Sequence, residues 1–212
     1  MQEPSLAGTT LDPYYHVCAF FGNRDDEYRV LAPFYRETLE WGEKLLHIVD
    51  ERQGADHETR LEQHGINVCD CRQTGQLQIY GWTDTYLTNG AFDQQKMLIA
   101  IQNVIDAARS ESYPRVRIMG NMGWVFDRDS DSDHIIEFEM LVNEVLAREK
   151  QPAICVYDLN RMTGAMMMDV MRAHPLTLVN GVIHRNPFFT PPAQMLLELA
   201  GRKKAVVAFA AA

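Results

Sequence analysis

Short apolar runs alternate along this chain with longer stretches in which apolar residues recur every three or four positions. The short runs, each bounded by turn-forming or charged residues, predict strands over residues 16–21, 45–50, 77–82, 115–119, 153–157 and 177–179. The longer stretches predict helices. Residues 26–41 place Val30, Leu31, Phe34, Tyr35, Thr38 and Leu39 on one face, with Gly42 where a helix end favours a left-handed residue. Residues 95–109 repeat the stripe with Leu98, Ile101, Val104, Ile105 and Ala108, and residues 133–148 do so with Ile135, Phe138, Val142, Val145 and Leu146. A Met-rich helix is predicted over 161–172. Strand, helix, strand in succession implies right-handed crossovers, so the expected fold class is α/β: three layers, with a mostly parallel central sheet flanked by helices.

Composition narrows this to one domain. The 212 residues are 46% hydrophobic, enough for a single substantial core. The expected layout is an N-terminal tail over 1–13, a domain over 14–190, and a C-terminal helix or connector over 191–212 whose last alanines read as an expression remnant. A net charge of −9 disfavours nucleic acid or an anionic membrane surface as a direct partner. No apolar run approaches the roughly 18 residues of a spanning helix, and the N-terminus lacks signal-peptide regions, so a cytoplasmic location is expected. Cys18, Cys69, Cys71 and Cys155 are too few for a disulfide framework and are expected as reduced thiols.

The first strand runs into Asp25, Asp26 and Glu27, where a nucleotide-binding α/β protein would carry a Gly-rich loop ending in Lys-Ser or Lys-Thr. An anion there would gain the helix dipole but meet three carboxylates. Ligands of open parallel sheets bind at the strands' carboxyl ends. That rim is expected to hold Gly22, Asn23, Asp50, Glu51, Thr83, Asp84, Gly120, Asn121 and Asp158, without an inward basic residue. Asp50 and Asp158 read first as caps of the following turns.

His16 and Cys18, two apart on a strand, share one face. If His174 or Cys155 came close, a soft nitrogen and sulfur metal site would become geometrically feasible. The spacings lack paired zinc ligands, so a buried cysteine beside a hydrogen-bonded histidine is the preferred reading, and neither metal nor cofactor is expected. In a ligand pocket the same pair would be a polar anchor within apolar walls. Tyr86, Trp124 and Tyr157, each apolar with a polar tip, suit such walls, although plain core packing explains them too. His174, before Pro175, ends a helix or contacts ligand; Asn186 opens a turn that pins Phe188 and Phe189. Met162, Met166, Met167, Met168 and Met171 offer an adaptable surface for a ligand or for a second copy in a homodimer. No activated nucleophile is evident, and an enzyme is not expected.

Several stretches occur in a recognisable order: residues 16–21, Val30-Leu31 to Phe34, Trp41-Gly42 to Asp50, Thr85-Tyr86-Leu87, Gly90 to Asp93, Arg117 to Trp124, Phe138-Glu139 to Asn143-Glu144, Ile154 to Asp158, His174-Pro175, and Asn186 to Phe189. Together they resemble the MEDS family, the sensory domain named for methanogens, methylotrophs and the DcmR regulator. The resemblance implies a RecA-like or KaiC-like domain with a degenerate P-loop, lacking the Walker A loop. It implies a sensory role in signal transduction or transcription regulation, with a small hydrocarbon derivative or one-carbon metabolite as ligand and an output domain or signalling protein as partner. Its ligand-contacting residues are expected among His16, Cys18, Tyr86, Asn121, Trp124, Tyr157, His174 and Asn186. Where the resemblance anticipates an acidic residue, this chain has Asn121, a weaker ligand for Mg²⁺. Two alternatives stand beside it: a protein-interaction module with a vestigial pocket, and a residual nucleotide binder using backbone amides.

Overall fold

The computed structural model describes residues 3–126 and 132–210. Its centre is a seven-stranded sheet built from β3 (His16–Phe21), β4 (Lys44–Val49), β5 (Leu77–Gly81), β6 (Val116–Asn121), β7 (Ala153–Asp158), β8 (Leu176–Val179) and β9 (Val182–Arg185). The spatial order is β5-β4-β6-β7-β3-β8-β9, parallel throughout except for the antiparallel β9 at one edge. β3, flanked by β7 and β8, is buried at every position.

Alternation along β3 sends Val17, Ala19 and Phe21 to one apolar layer and Cys18 and Phe20 to the other. The first layer is closed by α1 (Arg24–Glu40), α2 (Gly54–Gln63) and α3 (Val68–Gln73), the second by α4 (Gln94–Ser110), α5 (Ser132–Glu149), α6 (Gly164–Ala173) and α7 (Pro192–Ala210). This is the expected three-layer α/β arrangement. Two ion pairs latch α7 onto α6: Arg202 forks onto Asp169 at 2.8 and 2.9 Å, and Arg172 meets Glu198 at 2.6 Å.

Five elements differ from expectation. The first residues are no tail: β1 (Ser5–Leu6) and β2 (Thr9–Thr10) form a hairpin whose Ala7 and Gly8 both take positive φ, as a type I′ turn requires. Leu6 and the following Leu11 are fully buried in the α1-side layer. β9 was also unexpected, although Asn180-Gly181, with φ of 51° and 76°, is a strong hairpin signal. The polar helices α2 and α3 offered too few periodic apolar residues, burying only Leu61 and Val68 as apolar anchors. Among the described residues, no helix is long and apolar enough to cross a membrane.

Candidate functional site

Four polar side chains from four elements meet beneath α5, on the second layer's side of the sheet. His16 opens β3, Cys155 lies mid-way along β7, Glu139 projects from α5, and His174 follows the last residue of α6. All four are buried, and one donor atom from each lies within 4.8 Å of the others. The two imidazoles pack against each other tilted by 43°, with 4.1 Å between centroids.

The hydrogen-bond partners assign both tautomers. Asn143 donates its amide N–H groups to the Glu139 carbonyl at 2.9 Å and the Ala173 carbonyl at 2.7 Å, so its oxygen faces His16 as an acceptor. His16 Nδ1–H donates to that oxygen at 3.1 Å, and His174 Nδ1–H donates to the Val170 carbonyl at 2.8 Å. In the neutral rings both Nε2 lone pairs therefore turn inward, 3.3 and 3.5 Å from Glu139 Oε2. Cys155 Sγ lies 3.3 Å from His16 Nε2 and 3.7 Å from Glu139 Oε2, while the Tyr157 hydroxyl donates to Glu139 Oε1 at 3.0 Å.

Burial lowers the pKa of His16, assisted by His174. Burial opposes ionisation of Glu139 as well, but His174 and His16 beside it outweigh that and hold its carboxyl below the usual range. Burial and Glu139 together push the Cys155 thiol well up.

Of the expected contact residues, His16, His174 and Tyr157 converge here. Cys18 is adjacent but gives its thiol to the Leu176 carbonyl at 3.6 Å. Asn186 instead pins the chain, donating to the carbonyls of Met171 and of His174, the latter at 2.8 Å. His174 is both helix end and cluster member, which reconciles its two readings. For a metal the sequence offered His16 and Cys18, with His174 or Cys155 if either came close; the fold brings both to His16, adds Glu139 and leaves Cys18 out. Glu139 and Asn143 escaped notice as functional residues, yet both fall among Ile135, Phe138, Val142 and Leu146, apolar positions of α5. A carboxylate and an amide four apart on a buried helix face were the available signal.

Tyr86 and Trp124 stack at 5.1 Å, and Phe92 leans on the same indole at 5.0 Å. Trp124 Nε1 is buried with no hydrogen-bond partner. The Tyr86 hydroxyl lies over Gly120, the register neighbour of Cys155. Tyr86 also lines a cavity of about 200 Å³, whose walls include Leu46, Ile48, Met97, Ile101, Val104 and Ile118. Neither His16 nor Cys18 reaches this space; both are sealed in the core.

A second, polar cavity of about 170 Å³ opens at the strands' carboxyl ends and includes Gly22, Asn121, Tyr157 and Asp158. The expectation of a rim without basic residues is corrected: Arg24, Arg52 and Arg161 contribute to its lining. Asp50 and Asp158 cap short turns as expected, accepting from Arg52 N and Asn160 N at 3.0 and 2.9 Å. Asn121 accepts from Gly123 N at 3.0 Å. At the start of α1, Asn23 accepts from Asp26 N at 2.8 Å, so a side chain already serves one of the amides a phosphate would need.

Comparison with known proteins agrees with this architecture. A KaiC-like protein from the hyperthermophilic archaeon Pyrococcus horikoshii OT3 superimposes with a TM-score of 0.57 at 16% identity, over 77% of this chain and 70% of that one. The Transcriptional repressor DcmR of Methylorubrum extorquens is 21% identical over 174 residues, 81% of this chain. The chain spans 62% of that relative's length. The family model for the methanogen/methylotroph DcmR sensory domain matches residues 15–175. This chain belongs to the MEDS family of sensory domains.

Proposed function

We propose that this sensory domain takes a small, mostly apolar molecule, such as a short hydrocarbon derivative or one-carbon metabolite, into the cavity beside Tyr86 and performs no turnover. The observation that carries this reading is the cavity itself: about 200 Å³ and apolar-walled, with Asp84 and Thr85 among the few polar residues of its lining. At about 30 Å³ per water-sized group, it accepts roughly six such groups. Its wall includes α4, which packs on α5, and α5 in turn packs on both α6 and α7. A guest that shifts α4 has a packed route to the C-terminal helix and to an output domain or partner protein.

The nucleotide alternative is disfavoured by the Asn23 cap and by Asp25, Asp26 and Glu27 in the first turn of α1. The interaction-module alternative draws support from Leu197, Met168 and Phe188, apolar residues left 76%, 42% and 51% exposed.

The test is a panel of one-carbon and short-chain compounds in thermal melts. The expected outcome is a rise in Tm for a subset, absent in Val104→Phe, which fills the cavity, while the unliganded Tm of that variant stays close to the parent's. A flat panel removes the cavity reading.

A further inference from the structure

We propose that His16 Nε2, Glu139 Oε2, Cys155 Sγ and His174 Nε2 form a tetrahedral site for one divalent transition-metal ion of the zinc class. This goes beyond the sensory reading and does not depend on the apolar cavity.

The first argument is distance. Zinc bonds of about 2.0–2.3 Å place tetrahedral ligand atoms roughly 3.3–3.8 Å apart. The separations here are 3.3 Å for His16–Glu139, 3.5 Å for His174–Glu139, 3.3 Å for His16–Cys155 and 3.7 Å for Cys155–Glu139, and all donor pairs fall within 4.8 Å. The second is orientation. A metal-binding histidine commonly gives its other N–H to a carbonyl, which fixes the tautomer. His16 does so to the Asn143 amide oxygen and His174 to the Val170 carbonyl, leaving both Nε2 lone pairs aimed at the centre. His174 Nε2 is buried without a hydrogen-bond partner. Tyr157, on the second carboxylate oxygen, supplies the corresponding support for Glu139.

The third argument is charge. Two lone pairs, a carboxylate oxygen and a sulfur converge in a dry interior, a costly arrangement unless something positive, a proton or a metal ion, sits among them. A divalent ion bound by the carboxylate and by Cys155 as thiolate makes the centre neutral. The binding step breaks the Cys155 S–H bond, forms the metal–sulfur bond and releases one proton to solvent for each ion; no electron is transferred. Nitrogen, oxygen and sulfur together suit zinc, cobalt or ferrous iron better than magnesium or calcium.

Because the site is sealed, the full chain is unfolded with chelator and refolded with Co²⁺ or Zn²⁺. The expected result is one ion per chain by elemental analysis, one proton released, a higher Tm than the chelated protein, and tetrahedral cobalt bands with a thiolate-to-cobalt charge-transfer band. Cys155→Ser should lose that band, and His174→Ala should weaken binding at least tenfold. The double variant Cys69→Ser with Cys71→Ser, on the remote α3, should leave both unchanged. X-ray absorption on the unsubstituted cobalt protein reads the ligand set even if a site variant fails to fold. No retained ion, an absorption spectrum without a sulfur ligand, or a charge-transfer band that survives Cys155→Ser would overturn the proposal.

Discussion

A single amide decides what His16 presents to its neighbours. Because Asn143 spends both N–H groups on carbonyls, only its oxygen is left for His16, and the ring must carry its proton on Nδ1. The residues of this cluster were partly legible in the sequence: His16 by its place on a strand, His174 by its proline, and Cys155 as a strand thiol that could come close. Glu139 was not, because periodicity counts where a helix faces and says nothing about which buried polar group a distant strand will meet. Across the sheet, Glu27 shows a different buried carboxyl. Burial raises its pKa from 4.5 to about 7, opposed by Arg24 and Arg60 and aided by Asp158 and Asp56. With the folded value above the unfolded one, the folded state holds the extra proton between these values, so this group's stabilising contribution is present below pH 4.5 and lost as pH rises through about 7. Glu27→Gln should therefore gain Tm relative to the parent as pH is raised from about 5 to 8, at up to about 1.4 kcal/mol per pH unit between the two pKa values. A pH-independent difference in paired melts would show that Glu27 is ionised throughout.

At the scale of elements, β6 and the segment bearing Tyr86 meet at a glycine. A Cβ on Gly120 would press into the Tyr86 hydroxyl oxygen, whereas the next nearest atoms, Tyr86 Cζ and Met122 Sδ, stand at 3.6 and 3.8 Å. Gly120→Ala is expected to cost about 1–3 kcal/mol by overpacking, and adding Tyr86→Phe should recover most of it, since the offending atom is gone. Urea titrations of the four proteins in this cycle give the coupling directly; additive losses would contradict it. The six parallel strands were legible because each is apolar and sharply bounded. The edge hairpin and the short polar helices were not, because their burial comes from one or two residues apiece, below what a periodic pattern registers.

For the whole molecule, the N-terminal hairpin belongs to the core. Leu11 is fully buried, and its amide donates to the Pro4 carbonyl at 3.0 Å. Leu11→Ala should lower global stability by about 2–5 kcal/mol while leaving the unfolding transition cooperative. A loss within about 0.5 kcal/mol would mean the hairpin detaches at little cost. The family resemblance was legible on four of the sheet's strands and the segments between them, because ordered signatures survive where each short motif alone is weak. The two arginine ion pairs between α6 and α7 have a mechanical outcome. Arg172 and Arg202 reach across in opposite directions, one from each helix, so two ion pairs tie the helices to each other. Because these clasps are partly open to solvent, added salt would loosen them before it disturbed the buried histidine pair.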